Sequence, residues 1–470
     1  MRLPSRWLWR GYFLRCVSAG LLIVCATFEL VAQPRWKQAE FVLGTWWDPP
    51  YDPSGRLFDR DVEAFREARA ANFMLLSGTQ GDDGIRHNFE GMRYALRVAD
   101  AAGVRYLVSD YRFYEAYEKP WTFPVGQSVI DDYAGLPLGS RNAMYGYFLT
   151  DEPHFTSDHF SHVSAWVRFL QLKDPSRLAL VNLVPCYATD SNWGGFVGGN
   201  NDGLLDMREK VEYEGYLHLY VDSLQPSVVC FDHYPFMRDG SIRRDYLYNL
   251  GIIRKMAGSI PFWASPMTAD HLSYVDPSAE HLRFMYFVPA AYGAKGLMIF
   301  TYSTPPSSDY RSALIGRDGK KTAKYGIVSQ LNSYFRSVMG TVLMNDTCVA
   351  VYNLSTFPGN QVFVDTGIPS DSPYLVSIND DRLLASVFEG PGTRYLLVVN
   401  KDLKTATNVE IALKGAIPSV SFAPRLVGFK KDSSLEYKAE KTQFQAGAIP
   451  MSIFRIPELL GGEGRLIRIM

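Results

Sequence analysis

The strongest constraint on this chain is an alternation of short apolar segments and amphipathic segments that repeats eight times between residues 41 and 344. The apolar segments have the length and bounding turn residues of buried strands, and the segments between them carry apolar residues at helical spacing. Alternating strands and helices pack as a parallel sheet covered by helices. Eight such units over roughly 260–300 residues match the size of a (β/α)8 TIM barrel, typically about 250 residues before insertions.

A doubly wound open sheet is the other fold that this alternation allows. Its nucleotide-binding members carry a GxGxxG loop after the first strand, where this chain reads Asp48-Pro49-Pro50. The chain also contains neither GxxxxGKS nor GxxxxGKT. We therefore predict a barrel over residues 38–344, with its functional site at the carboxyl ends of the strands.

The character of the sequence changes near residue 345. Short β-type runs such as 383–388, 394–399 and 451–456 follow one another between turn clusters, and no helical period appears. This pattern predicts an antiparallel β-sandwich over residues 345–470. No low-complexity linker precedes it, so we expect the two domains to pack directly against each other.

Residues 1–32 have the composition of a secretory signal peptide. Four arginines precede an apolar run over residues 16–28, and Ala32 offers a small residue for cleavage. We expect the mature protein to begin near Gln33 and to be secreted or periplasmic.

Two other roles for this segment are disfavoured. A retained anchor needs about 20 apolar residues, and Glu29 interrupts the run. A lipid anchor at Cys25 would prefer a small residue where Val24 stands. We therefore expect no stable membrane span.

Composition argues against several partners and cofactors. Lys and Arg number 48 against 49 Asp and Glu, so the chain has no overall basic field for nucleic acid. The three cysteines outside the signal segment are too widely spaced for a disulfide framework or a CxxC metal site; they are Cys186, Cys230 and Cys348. His159 and His162 share a helical face, but no third ligand follows at zinc-like spacing. We therefore predict no cofactor and no metal.

Polar residues gather where the predicted strands end, which is where barrels carry their active sites. Carboxylates dominate this set, which comprises Asp48, Asp110, Arg112, Asp151, Glu152, Asn182, Asp232, His233, Tyr234, Asp270, Thr301 and Tyr302. Aromatic residues accompany them, namely Trp46, Trp47, Tyr111, Trp121, Trp193 and Trp263. Rings stack on flat ligand faces, and cleavage of a glycosidic bond commonly uses two carboxyl groups. The combination favours a carbohydrate substrate.

Several segments resemble those of a known superfamily. Residues 145–153, Tyr-Gly-Tyr-Phe-Leu-Thr-Asp-Glu-Pro, resemble the fourth-strand signature of retaining glycoside hydrolase barrels, commonly Asn-Glu-Pro, whose Glu is the acid/base. Residues 232–234, Asp-His-Tyr, resemble the His-x-Tyr that often ends their sixth strand. Residues 282–302 look like the seventh helix and eighth strand of β-galactosidase-like members, and residues 394–400 resemble part of their trailing β-sandwich. The resemblance to these β-galactosidase-like and cellulase-like enzymes implies a glycosidase with Glu152 as acid/base.

The seventh strand departs from the pattern of this superfamily. Its members place the nucleophile, a Glu, at the end of that strand, whereas residues 261–270 here read Pro-Phe-Trp-Ala-Ser-Pro-Met-Thr-Ala-Asp. Three alternatives stay open: Asp270 substitutes from a displaced loop, Asp232 serves from strand six, or hydrolysis has been lost. Asp151 and Glu152 also have a structural interpretation, because acids are favoured at the start of a helix.

The sequence thus predicts a secreted glycosidase with Glu152, Asp232 and Asp270 as candidate catalytic carboxyls. Candidate substrate-binding residues are Trp46, Trp47, Asp48, Asp110, Arg112, Asp151, Asn182, His233, Tyr234, Trp263 and Tyr302. The alternative is a non-catalytic glycan-binding protein on a degenerate barrel, which the missing Glu favours. A second carboxyl about 5–5.5 Å from Glu152 would indicate retention of configuration, and one at about 6.5–9.5 Å inversion.

Overall fold

The computed structural model confirms the predicted fold class, a (β/α)8 barrel followed by an antiparallel β-sandwich. It describes residues 35–78, 87–114, 123–153, 157–188, 207–354, 367–426, 438–441, 443–445 and 451–470. These residues all lie within one compact unit, Arg35–Met470. The predicted signal segment lies outside the described residues.

Eight parallel strands form the barrel: β1 (Val42–Thr45), β2 (Leu75–Ser77), β3 (Arg105–Val108), β4 (Met144–Asp151), β5 (Leu178–Leu183), β6 (Val229–Asp232), β7 (Phe262–Ser265) and β9 (Gly296–Ile299). They pair in sequence order, and β9 closes the barrel on β1 through pairs such as Leu43 with Leu297. Each observed strand agrees with the strand expected from the sequence to within two residues at either end. The short strand β8 (Asp270–His271) pairs with β10 (Tyr310–Ser312) outside the barrel.

Helices cover the outside of the barrel. The helix Phe89–Ala102 shows why they begin and end where they do: the Asn88 side chain accepts a hydrogen bond from the Gly91 N–H, and Gly103 stops the helix in a left-handed conformation. The other helices are Phe58–Ala70, Tyr111–Tyr114, Phe123–Ala134, Leu138–Ala143, Ser157–Lys173, Met207–Leu224, Tyr246–Ala257, Ala279–Ala291 and Ala323–Tyr334. The helix Ala323–Tyr334 continues through the π-helical turn Phe335–Met339 into the helix Gly340–Asn345. Among the helices in the described ranges, none has the length and apolar character needed to cross a membrane.

Successive residues of the barrel strands alternate between the interior and the helix layer. Leu180 on β5 and Cys230 on β6 pack in the interior cluster, whereas Phe231 packs in the core that the strands share with the helices. Because side chains alternate with a period of two, Asn182 and Asp232 are the next residues of the interior series. The strand period therefore carries both to the open carboxyl end of the barrel.

The C-terminal strands form two antiparallel sheets around a second apolar core. Their strands are β11 (Thr347–Asn353), β12 (Leu375–Ile378), β13 (Leu383–Gly390), β14 (Thr393–Asn400), β15 (Ala406–Lys414), β16 (Ser419–Phe422), β17 (Lys438–Lys441), β18 (Gln443–Gln445), β19 (Met451–Leu459) and β20 (Gly464–Ile469). The six-stranded sheet has the order β11-β13-β14-β20-β16-β17, and the four-stranded sheet has the order β12-β15-β19-β18. Phe287, on a barrel helix, shares a buried cluster with Leu397 and Leu466 of the six-stranded sheet. A Cβ at Gly464 would lie 2.3 Å from the Phe287 ring, which shows how closely the sheet approaches that helix.

Two glycines make a matched test of how tightly the barrel is packed. A Cβ at Gly146 on β4 would lie 2.2 Å from the backbone oxygen of Leu178 on β5, so Gly146→Ala must push two paired strands apart. We predict that it lowers the free energy of unfolding by about 1–3 kcal/mol, the usual cost of overpacking. Gly326 lies in a helix with nothing within 4 Å of its Cβ position, so Gly326→Ala should stabilise by up to about 1 kcal/mol. Urea unfolding measures both, and equal effects of the two changes would contradict this packing.

Candidate active site

Two adjacent carboxyls stand at the carboxyl end of β4. Asp151 is the last residue of the strand, and Glu152 follows with a φ of 45°. This left-handed conformation is uncommon for a residue with a side chain, and the Glu152 N–H is fixed by a hydrogen bond of 2.8 Å to the Asn182 carbonyl oxygen. Adjacent side chains of a regular strand point to opposite faces. The turn at Glu152 breaks that alternation, and both carboxyls interact with Asp232 on β6.

One amide links the carboxyls of β4 and β6. Nδ2 of Asn182, on the strand between them, donates to Oδ1 of Asp151 at 2.8 Å and to Oδ1 of Asp232 at 2.9 Å. Glu152 and Asp232 also share a side-chain hydrogen bond, so one of these two carboxyls carries a proton. We call Asp151, Glu152 and Asp232 the acid cluster.

Burial and mutual repulsion order the pKa values within the acid cluster. Desolvation, followed by the charges of Asp232 and Asp151, raises the pKa of Glu152 well above its ordinary value. Desolvation and the Asp151 charge raise the pKa of Asp232 to about 7, against the hydrogen bonds from Asn182, Glu152 and Tyr234 that favour its ionised form. The proton that this pair shares is therefore favoured on Glu152, with Asp232 as the ionised partner. A protonated acid beside an ionised carboxylate is the arrangement that general acid catalysis requires.

Asp151 is the most open member of the acid cluster. Its side chain is exposed at the open carboxyl end of the barrel, which we call the mouth, whereas Asp232 is 8% exposed. Protein surrounds Asp151 on its inner side, so lost hydration still raises its pKa, and the hydrogen bond from Asn182 opposes that rise. Asp151 is thus the acid that an entering ligand meets first.

Aromatic residues form one wall of the mouth. Tyr234 hydrogen-bonds to Asp232 and stacks on Phe300, with 5.6 Å between ring centroids. His271 stacks on Tyr310 at 5.5 Å, and Trp47 lies 6.1 Å from Tyr310. Asp151 and Glu152 are among the charges that raise the pKa of Tyr310, after desolvation and Asp309, so this ring lies beside the acid cluster. The partly exposed rings are Trp47, Phe300 and Tyr310.

Several sequence-predicted site residues lie elsewhere in the structure. Asp48 is fully buried and accepts a hydrogen bond of 2.7 Å from the Tyr106 hydroxyl. Asp110 and Arg112 form an ion pair of 2.6 Å with each other, and Tyr133 also donates to Asp110 at 2.9 Å. Each of these three side chains is engaged by another protein group, and substrate binding by them stays a prediction.

Three of the aromatic residues that the sequence predicts to bind substrate are buried in the structure. Trp263 is fully buried, donates to Oε1 of Gln38 at 2.9 Å and packs on Gly296 at the amino end of β9. Tyr302 is 1% exposed and packs edge-on against Phe73 in the core under the helices. Trp46 is 4% exposed and fills the barrel interior. Trp121 and Trp193 lie outside the described residues.

His233 faces the helix layer rather than the mouth. It follows Asp232 by one residue, and the strand period turns it outward. Its Nδ1 lies 2.8 Å from Oδ1 of Asn249 and its Nε2 3.2 Å from Oδ1 of Asp245, both at the start of the next helix. The ring therefore anchors that helix in this structure, and a role for it in positioning substrate stays a prediction.

Asp270 forms ion pairs with two arginines at the outer edge of the mouth, which we call the rim. Its oxygens lie 2.7 Å from Arg238 and 3.0 Å from Arg311. Strand β7 ends at Ser265, whose hydroxyl accepts a hydrogen bond from the Trp46 indole at 3.3 Å. Among the candidate carboxyls, then, Asp232 and not Asp270 contacts Glu152.

The sequence missed the rim residues. His271 and Tyr310 come from β8 and β10, whose two-stranded pairing gives too short a pattern to recognise. Tyr187 and Tyr274 join their hydroxyls at 2.8 Å beside the mouth, and Arg243 covers the Tyr187 ring at 3.5 Å. The described residues hold no group of three His, Cys, Asp or Glu suited to a metal ion.

Comparisons with solved structures find distant similarities only. No family model and no curated protein matches the chain. A family 39 glycoside hydrolase from the gut symbiont Bacteroides cellulosilyticus WH2 is 12% identical with a TM-score of 0.44, covering 93% of this chain and 81% of its own. A maltogenic alpha-amylase from Thermotoga neapolitana is 8% identical with a TM-score of 0.49, covering 91% and 99%, and a GH30 endoxylanase from Clostridium papyrosolvens C71 is 10% identical with a TM-score of 0.38, covering 93% and 97%.

The structural neighbours of this chain are glycoside hydrolases. At these identities and TM-scores the overlaps carry no information on substrate or mechanism. The barrel is established by its own strand pairing.

The raised pKa of Asp232 predicts a stability effect that depends on pH. A carboxyl whose pKa is about 7 in the folded protein and near 3.8 unfolded stabilises the fold at low pH, and that contribution is lost as pH rises through 7. Asp232→Asn removes the buried charge, so it should raise stability relative to wild type at pH 8, by of order 1 kcal/mol, and less at pH 5. Thermal unfolding at both pH values checks this. A variant that is less stable than wild type at pH 8 and not at pH 5 would contradict the assignment.

Proposed function

We propose that this chain is an exported glycosidase that cleaves O-glycosidic bonds with Glu152 as general acid/base and Asp232 as second carboxylate. The observation that carries the proposal is the hydrogen bond between these two carboxyls, with the raised pKa of each. A glycosidase needs one acid that keeps its proton and one carboxylate that has lost it. The acid cluster supports that division, because the shared proton is favoured on Glu152.

The proposed reaction runs through two steps. Glu152 gives its proton to the glycosidic oxygen while the bond from that oxygen to the anomeric carbon breaks, and an oxygen of ionised Asp232 bonds to that carbon. Glu152, now ionised, then takes a proton from a water molecule, whose oxygen displaces Asp232. Both carboxyls return to their starting states, so protons and electron pairs balance.

Spacing within the acid cluster favours this retaining route over inversion. Inverting enzymes separate their carboxyls by about 6.5–9.5 Å to leave room for a water molecule, and retaining enzymes by about 5–5.5 Å. Glu152 and Asp232 are in direct hydrogen-bond contact, which leaves no such room.

The rest of the mouth supports a sugar as ligand. Asp151 offers an exposed carboxylate to a sugar hydroxyl. Trp47 and Tyr310 offer partly exposed rings beside it, and ring faces stack on the apolar faces of flat ligands. Phe300 and Tyr234 complete an apolar side that lowers local polarity.

A non-catalytic glycan-binding protein is the second candidate. The end of β7 at Ser265, without a carboxyl, favours it. A panel of 4-nitrophenyl glycosides and polysaccharides separates the two functions, because glycan binding without turnover on any member would favour the binding protein.

Glu152→Gln tests the acid. The change keeps the side-chain shape and removes the transferable proton, so turnover of substrates with poor leaving groups should fall about 10²–10⁴-fold. A 4-nitrophenyl glycoside needs less protonation, and its first step should suffer much less. Steady-state rates on both substrate types measure the difference. Unchanged rates on both, with a folded variant, would remove Glu152 from the mechanism.

Asp232→Asn and Asp270→Asn form a matched pair for the second carboxylate. Loss of the Asp232 carboxylate should lower turnover about 10³-fold, because the Asn amide can neither bond to the anomeric carbon nor offset the positive charge that develops there. Asp270 is occupied by Arg238 and Arg311, so its loss should cost less than about threefold. Rates with one aryl glycoside under saturating conditions compare the two. The reverse ranking would place the second carboxylate on the rim.

A further inference from the structure

Asn182 donates hydrogen bonds to two of the three carboxyls of the acid cluster. It is 3% exposed and lies on β5, between the strands that carry Glu152 and Asp232. Both hydrogens of its amide are used, one on Asp151 and one on Asp232. An amide nitrogen only donates and a carboxylate only accepts, so each of these bonds favours the ionised form of its partner.

The orientation of the Asn182 amide is fixed by those two bonds. Turning the amide over would point Oδ1 at two carboxylates, which repel it. Oδ1 itself has no hydrogen-bond partner among the described residues. The donor side of the amide therefore faces the acid cluster permanently.

The Glu152 carboxyl differs from the other two carboxyls of the acid cluster in its hydrogen-bond partner. It receives no side-chain hydrogen bond from Asn182, and its carboxyl meets Asp232 instead. Two members of the acid cluster are thus favoured as acceptors and the third is left as the donor. We propose that Asn182 is a positioning residue that places the single proton of the acid cluster on Glu152 and keeps Asp151 and Asp232 ionised.

This proposal deepens the proposed function and rests on it for its catalytic consequence. The sequence predicts that Asn182 binds substrate. In the structure, both hydrogens of its amide bond to carboxyls of the acid cluster. Without the amide, the proton would be shared among three similar carboxyls. Part of the protein would then hold a protonated Asp232 and an ionised Glu152, which reverses the roles that the reaction needs.

Other titratable groups around the cluster stay neutral over the same pH range. They face it from β6, from the segments after β5 and β6, and from the rim; they are Cys230, Tyr187, Tyr234, Tyr274 and Tyr310. Burial raises the pKa of each one above its ordinary value, and on the same wall burial lowers the pKa of His271, which favours its neutral form. A change in the titration of Asp232 near pH 7 is therefore not caused by their ionisation.

Carboxyl titration tests the proposal without needing activity. Protein labelled with ¹³C at the aspartate carboxyls is titrated by NMR, with Asp151→Asn and Asp232→Asn used for assignment. In Asn182→Leu, which keeps the volume and removes both donors, the midpoint of Asp232 should move up by about one pH unit, since a hydrogen bond to a charged group is worth roughly that much. Asn182→Ser keeps one short donor and should move it less.

Asn332→Leu is the control for losing a buried asparagine. Asn332 is also fully buried with two hydrogen bonds, to the Ala71 oxygen and from the Tyr286 hydroxyl, but it lies on an outer helix. Its variant should leave the Asp232 midpoint unchanged. An unmoved midpoint in both folded Asn182 variants would overturn the proposal, and so would an equal shift in Asn332→Leu.

Kinetics separates a positioning role from a merely structural one. If the 4-nitrophenyl glycoside panel yields a substrate, kcat/KM of Asn182→Leu should fall several-fold more at pH 5 than at pH 8, because the ionised form of Asp232 becomes rarer at low pH, and Asn182→Ser should show the same trend more weakly. A loss that is equal at both pH values would contradict the positioning role. If no glycoside is cleaved, the proposed function fails while the NMR titration still decides the role of Asn182.

Discussion

The arrangement at the mouth depends on one contact, the hydrogen bond between Glu152 and Asp232 inside a site that water only partly reaches. Two buried carboxylates would repel each other and lose hydration at the same time. Sharing a proton removes most of that cost. The same arrangement leaves a protonated acid beside an ionised base near neutral pH, which is the starting state of acid-assisted bond cleavage.

The barrel makes this contact possible through geometry. Neighbouring parallel strands β4, β5 and β6 end at one rim, so Asn182 becomes the hydrogen-bond partner of Asp151, 31 positions away in the chain, and of Asp232, 50 positions away. The left-handed turn at Glu152 then brings a second carboxyl from the same strand into the mouth. Elsewhere the fold supports this edge: His233, Asp245 and Asn249 fasten the end of β6 to the helix that follows.

Much of this could be predicted from the sequence, because alternating apolar segments specify a barrel and the barrel specifies which strand ends meet. The rule singles out Asp151, Glu152, Asn182 and Asp232 as candidates, and the resemblance of residues 145–153 and 232–234 to glycoside hydrolase segments points to Glu152 and Asp232 as well. Trp263 and His233 were misplaced because the rule gives the end of a strand but neither the depth nor the face of a side chain. Asp48 and Asp110 were misplaced for a different reason, since their hydrogen-bond donors come from distant segments, Tyr106 and Tyr133.

The most direct test of the account is to identify the carboxyl that bonds to the sugar. A 2-deoxy-2-fluoro glycoside with an activated leaving group, made from whichever sugar is turned over, slows the second step and accumulates the covalent intermediate; mass spectrometry of the digested protein then locates it. The account predicts one fluorosugar on the peptide that contains Asp232. Label on any other carboxyl, or none on a protein that turns the sugar over, would contradict it.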